Sequence, residues 1–566
     1  WLVRSLCIAV ALVSSLRTTD AAEVAYTVDL IAPQTQMIDL SMQLTGVERD
    51  AIELMLPVWR PGRYVGLDPA GTLQEFSVTD DTGRPLPWKK TNTSTWRIDT
   101  RHAHTIIARW RIWANSIADR TRHVDDSHAF LSPSSIFLYA PDWRDAPIRI
   151  RINAPFGWDI ASGLEPAADD DRTLLAPDYD VLVDSPIEIG LHDRLTFDVE
   201  GVPHEIIIWG EADYDGEQLK TDFAKIVASQ KAIFGAFPYT RYVFLLHVGA
   251  GGGGTEHLNS TIMQTRRSSL EDPAAYKRFL ALVAHEFFHT WNVKQLRPAC
   301  IHPYDYQAEN PCELFWVAEG TTSYYDDLTL ARTGVITVEA YLKMLSSSVN
   351  SMYARPGRAV QSLEESSFDA WIKFNRSNAH SANATVSFYS QGALVSWLLD
   401  CHLRRETDDR ISLDDLMRTM YERFPLDGPG YTTDDLLATA QELSGMDFTA
   451  FHERYIAGVE PLQFDEPLSA LGLELIFKPT KNDEGDDEDD DDSGDADEES
   501  LDVDGAHAGD ADADAMPMRA FLGVNLKSSG GRTIVSSVRS DGPAFLAGLT
   551  ADDEIIALDG RRLGAG

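Results

Sequence analysis

Long apolar runs are almost absent from this chain. Beyond its first two dozen residues no segment approaches the roughly 20 consecutive apolar residues that a membrane-spanning helix needs, which excludes a chain of several such helices. Cysteine is scarce as well, with four in 566 residues, too few for a disulfide-built scaffold. Positive charge is short: 49 Lys and Arg stand against 89 Asp and Glu, a net charge of −40. Nucleic acid is therefore not expected as a partner, nor is an anionic membrane surface. A phosphate cradle is missing too. The one dense glycine run, "VGAGGGGTEHLNST" (Val248–Thr261), has no lysine nearby and no G-x-x-x-x-G-K-[ST] pattern.

What is present suits a water-soluble globular protein of three or four domains, 43% hydrophobic and 10% aromatic, with 13 tryptophans. Arg4 precedes the short apolar run "LCIAVALVSSL" (Leu6–Leu16), and small residues follow near Ala21 and Ala22. Residues 1–22 are read as a secretory signal, so the expected location is periplasmic or secreted, with membrane contact only through an uncleaved signal. The chain opens on Trp1, so its true start is expected to be missing. Cys7 would leave with the signal. Cys300 and Cys312 flank "IHPYDYQAENP", a loop that an oxidising compartment would let them staple. Cys401, in "LVSWLLDCHL", is expected to be a buried free thiol.

The fold class expected is multidomain α+β. Residues 23–198 show period-two runs such as "YTVDLIA", "QMIDLSMQL" and "TIIARWRIWA", which predict an N-terminal antiparallel β domain. Residues 199–475 begin with two strands and continue with helical spacing, as in "PAAYKRFLALVAHEFFHTWNV" and the capped starts "SLDDLMRTMYERF" and "TTDDLLATAQELSG". Residues 482–515 hold eighteen Asp and Glu with no Lys or Arg, the composition of a disordered linker. They contain no complete calcium loop. Residues 519–566 resemble a PDZ domain, with "FLGV" where the carboxylate-binding loop stands and "GPAFLAGLTADDEIIALDG" after it. The chain ends before the second helix that would wall the peptide groove, so either the protein is cut short here or the module is incomplete.

The chemistry lies in "ALVAHEFFHTWNVK". On a helix His285 and His289 share a face and can point at one metal, while Glu286 can hold an attacking water without being a ligand. Glu319, in "LFWVAEGTTSYYDDL", is the candidate third ligand, opening a second helix. Two histidines, one glutamate and an open fourth position are the donor set of catalytic zinc, so one Zn2+ per chain is expected. Asp326 or Asp327 could hydrogen-bond a ligand histidine.

"HEFFHTWNVKQLRP", "FWVAEGTTSYY", "GGGGTEHLNST" and "LPVWRPGRY" (Leu56–Tyr64) together resemble the glycyl aminopeptidase family of the gluzincin zinc metallopeptidases. The resemblance implies an N-terminal β domain, a thermolysin-like, mostly helical catalytic domain and a C-terminal PDZ. It also implies roles for further residues: Tyr389 in "SFYSQGALVSWLLD" as a transition-state donor, and Glu256 as the acid that grips the substrate's free amino group. With that role for Glu256, Gly253 and Gly254 become a bare backbone edge on which a peptide can lie. His257 would orient Glu256 or contact substrate. The function expected is a zinc aminopeptidase acting on peptides with a free N-terminus, preferring Gly or Ala by resemblance alone. The alternatives are a zinc endopeptidase on the same fold and a non-catalytic protein whose PDZ binds peptide tails.

Overall fold

The computed structural model describes residues 23–118, 121–249, 251–477 and 521–562. The expected signal (1–22) and acidic linker (482–515) lie outside the described residues. Three sheets make up the N-terminal domain. In Met37–Leu44 every second residue, Ile38, Leu40, Met42 and Leu44, is buried. A register slip of one residue would turn all four to solvent, at about 1.5–3 kcal/mol for each side chain of this size. The strand pairs antiparallel with Val24–Asp29 and Ile106–Trp113 inside a seven-stranded sheet. One pair departs from expectation. Val24–Asp29 runs parallel to Ile148–Asn153, so the domain is not wholly antiparallel. Alternation reports which face is buried and carries no information about the direction of the neighbour.

The expected boundary at 198/199 also moves. Asp193–Val199 forms a hairpin with Val202–Trp209 through Glu200 and Gly201, both at positive φ (53° and 84°), the turn geometry that matches strand twist. Both strands belong to the second domain's sheet, which therefore begins at Asp193–Val199. In that sheet Val202–Trp209, Tyr242–Gly249 and Ser260–Arg266 are parallel. The unbroken run "YVFLLHV" is buried throughout, as a central strand covered on both faces requires. Gly253–Glu256 pairs antiparallel with Ser260–Arg266 and forms the sheet's edge.

Helix Gly216–Phe234 makes the crossover, capped by Asp215, which accepts from the Glu217 and Gln218 amides. Helix Pro273–Phe288 starts on an Asp272 cap with proline in the first turn. Helices then run to Asp465–Ala470, and the starts at Ser412 and Thr432 are both capping boxes. Cys300 and Cys312 are bridged, with Cα atoms 5.3 Å apart. Cys401 is free and buried. At the C-terminal end Val524–Ser529 and Arg532–Val538 form a hairpin, and the short helix Pro543–Leu546 closes a small core of Val535, Val538 and Ala544. Asn383 ties this unit to the catalytic domain, accepting from the Ser540 amide at 2.8 Å and donating to the Val538 carbonyl at 2.7 Å. Among the described residues no helix is long and apolar enough to cross a membrane.

Candidate active site

His285 and His289 lie one turn apart at the end of helix Pro273–Phe288, and their Nε2 atoms approach to 3.2 Å. Glu319 completes the group, its Oε2 lying 3.6 Å from His285 Nε2 and 3.2 Å from His289 Nε2. Glu319 sits in a wide helical turn, Trp316–Thr321, of the π type, a distortion that commonly re-aims a side chain at a functional site. The opposite ring nitrogens are committed elsewhere. His285 Nδ1 donates to Asp326 Oδ2 at 3.2 Å and His289 Nδ1 to the Asn292 carbonyl at 3.1 Å. Each Nε2 therefore turns a lone pair inward, and two lone pairs beside a carboxylate fit a divalent cation between them. Asp326 takes the supporting role that the sequence left open between it and Asp327.

In the absence of a cation the carboxylates favour protonated rings, so a metal binding here displaces protons. Burial disfavours protonation of His285, but hydrogen bonds to Asp326 and Glu319 outweigh it and raise its pKa well above the usual value. The Glu319 carboxyl is held far below the carboxylate range: burial opposes this, and His289 and His285 outweigh it. Glu286 behaves oppositely. It is buried, its Oε2 has no hydrogen-bond partner among the described residues, and burial together with the Glu256 and Glu319 charges pushes its pKa up to about 8.

Glu256 ends the edge strand and is buried. Its Oε1 lies 3.5 Å from Lys294 Nζ, which donates to Asp184 Oδ1 at 2.7 Å. Neither Lys294 nor Asp184 was legible in sequence. His257 turns to Asp184 as well (Nδ1 to Oδ1, 3.3 Å) and so does not orient Glu256 directly. Gly254 has a second reason to be glycine besides a bare edge: a Cβ there would lie 2.6 Å from Glu286 Cδ. Gly253, at φ +94°, adopts a conformation that side chains rarely take. Gly254→Ala is accordingly expected to displace the Glu286 carboxylate and lower kcat on the order of tenfold to a hundredfold, with metal content and Tm nearly unchanged. A variant with normal kcat would return Gly254 to the role of plain edge residue.

"LPVWRPGRY" was quoted from the sequence only as a family mark. It carries the N-terminal domain into the site. Arg60 donates to the Thr255 hydroxyl, Tyr64 donates to Glu319 Oε1 at 2.5 Å, and Gly62 (φ +83°) stands where a Cβ would come within 2.6 Å of Glu256 Oε2. Tyr389 begins helix Ser390–Glu406, its ring stacked 6.1 Å from that of His285. That helix meets the Glu319 turn glycine to glycine, since a Cβ on Gly320 would lie 2.5 Å from Gly392 Cα. A small, narrow cleft opens beside Glu256, walled by Trp59, Tyr64, Tyr304, Phe315 and Trp371.

Two family models match this chain. That of the M61 glycyl aminopeptidase covers residues 278–395, and that of the Peptidase M61 N-terminal domain covers residues 25–191. The chain belongs to the M61 glycyl aminopeptidase family. Among solved structures, an aminopeptidase N family protein from Idiomarina loihiensis is 29% identical with a TM-score of 0.84, over 96% of this chain and 90% of that one. An M1 zinc metallopeptidase from Deinococcus radiodurans shares the fold at 13% identity and a TM-score of 0.50, over 78% of this chain and 94% of that one. No curated protein matches the chain. This M61 chain is thus a peptidase of the metallo-aminopeptidase type, with His285, His289 and Glu319 as its candidate metal ligands.

Proposed function

We propose that this M61 peptidase is a zinc aminopeptidase removing the N-terminal residue of peptides. The observation that carries the reading is Glu256, a buried carboxylate at the end of a glycine edge strand whose last glycine, Gly254, lies against the general base. His285, His289 and Glu319 would hold zinc, which would supply Lewis acidity at the carbonyl and a more acidic water. Glu286 takes the proton of the attacking water and delivers it to the leaving amine. Tyr389 donates its hydroxyl to the carbonyl oxygen as negative charge gathers there. The edge strand Gly253–Glu256 offers its backbone to an extended peptide, and Glu256 stops that peptide by pairing with its ammonium. A preference for Gly or Ala rests on the family alone. The Cys300–Cys312 bridge supports a periplasmic or secreted location. The hairpin unit at 521–562 is read as the PDZ-like module, with Gly523 at φ +75° in its loop.

Two other readings meet specific objections. An endopeptidase has no use for an acid at the end of the peptide edge. A retired, purely binding protein has no use for Glu286, a buried base without a hydrogen bond to its Oε2. The test is an aminoacyl fluorogenic panel with and without chelator, joined to free and N-acetylated forms of one peptide. A charge-assisted hydrogen bond to the ammonium is worth about 1.5–3 kcal/mol. Glu256→Ala is therefore expected to raise KM for free peptides about tenfold to a hundredfold and to narrow the gap between free and acetylated substrates. The fold should tolerate the change, because Lys294 keeps its shorter bond to Asp184. Equal cleavage of both peptides by the unaltered enzyme would make it an endopeptidase.

A further inference from the structure

A second group of metal-type side chains lies away from the peptide site, where the N-terminal domain meets the catalytic sheet. His128–Leu131 pairs antiparallel with Ile187–Gly190, placing His128 opposite Gly190 and Phe130 opposite Glu188. With side chains alternating along a strand, His128 and Glu188 fall on the same face. Tyr242–Gly249, the central strand of the catalytic sheet, brings His247 to Glu188, with Nε2 2.9 Å from Oε2. One ligand-type atom from each of His128, Glu188 and His247 lies within 4.8 Å of the others. All three are buried, at 0%, 1% and 2% exposure.

The hydrogen-bonding of this group is incomplete. Both ring nitrogens of His128, Nδ1 of His247 and Oε1 of Glu188 have no hydrogen-bond partner among the described residues. A buried ion pair between Glu188 and His247 would account for one atom of each and leave His128 unexplained. Native interiors seldom leave so many polar atoms unpaired in one place. The surroundings also hold His128 where it is. The Trp209 ring stacks on it at 3.5 Å between centroids. A Cβ on Gly190 would lie 2.6 Å from His128 Cβ, so any larger residue there would push the ring away. Asp125 Oδ1, which accepts from the Ser127 and His128 amides, stands 3.5 Å from His128 Nδ1 without a hydrogen bond to it.

We propose that His128, Glu188 and His247 bind a structural divalent cation, Zn2+ by their imidazole and carboxylate donors, that clamps the N-terminal domain to the catalytic sheet. The site shares no residue with His285, His289 and Glu319, and it raises the expected count from one cation per chain to two. It does not depend on the aminopeptidase reading, because its test reads metal and not activity.

The full chain carrying His285→Ala and His289→Ala leaves the seam untouched. Stripped with chelator and titrated with ZnCl2, it is expected to bind one equivalent, against two for the unaltered chain, with a rise in Tm on zinc addition. Adding Glu188→Gln to that variant should bring the count to zero and remove the rise in Tm. A folded His285→Ala/His289→Ala chain that binds no zinc overturns the proposal. So does a Glu188→Gln version that still binds one equivalent.

Discussion

Glu286→Gln is expected to leave the cation at His285, His289 and Glu319 in place while hydrolysis falls about a thousandfold to ten-thousandfold, the upper range for loss of a general base. The glutamine keeps the shape that fits against Gly254 but has no proton-accepting oxygen pair. Glu286 is not arranged as a ligand: the convergent atoms are the two Nε2 and Glu319 Oε2, while Glu286 Oε2 is left without a hydrogen bond. The base works only when deprotonated, so kcat/KM must rise with pH through its pKa. Burial pushes that value up to about 8, and a divalent cation nearby lowers it again. The acidic limb of the profile should therefore lie below 8 and vanish in Glu286→Gln. Metal analysis alongside kcat decides the matter. A metal-free Glu286→Gln chain would make Glu286 a ligand and dissolve the assignment of all four residues.

How much of this site could be read from sequence depends on the distance over which its parts communicate. His285, Glu286 and His289 sit within one turn of one helix, so helical spacing alone placed them together. Glu319 was marked by its local setting, a carboxylate inside an apolar run, whereas the roles of Glu256 and Tyr389 came from the family resemblance. The parts that went unread come from across the domain seam. Tyr64 reaches Glu319 over 255 residues, and Asp184 reaches Lys294 over 110. No periodicity couples such positions, and "WVAEG" alone does not announce the π-type turn that aims Glu319. Fold-level misses have the same origin. Alternation found the N-terminal strands but could not say that Val24–Asp29 runs parallel to Ile148–Asn153. The His128, Glu188 and His247 group is the extreme case, three single residues on three strands.

Tyr389→Phe is expected to lower kcat and kcat/KM together by about a hundredfold to a thousandfold, with KM and metal content nearly unchanged. A plain packing role is the competing account, since the ring lies against Phe374 and Phe388 at 5.3 and 4.8 Å between centroids. Three observations favour a donor. The ring also stacks on His285, a candidate ligand. Its helix is drawn to the Glu319 turn by a glycine-to-glycine contact between Gly320 and Gly392 that no larger pair would allow. Burial, then the charges of Glu319, Glu256 and Glu286, hold the hydroxyl pKa well above its usual value, so the proton stays available for donation. A hydroxyl that donates only as charge develops on the carbonyl oxygen contributes nothing to ground-state binding, which is why KM should stand still. Removing it deletes a single oxygen from a ring whose aromatic contacts remain, so a packing role predicts almost no change. A Tyr389→Phe enzyme within a few-fold of the unaltered rate would leave the ring as filler between two phenylalanines.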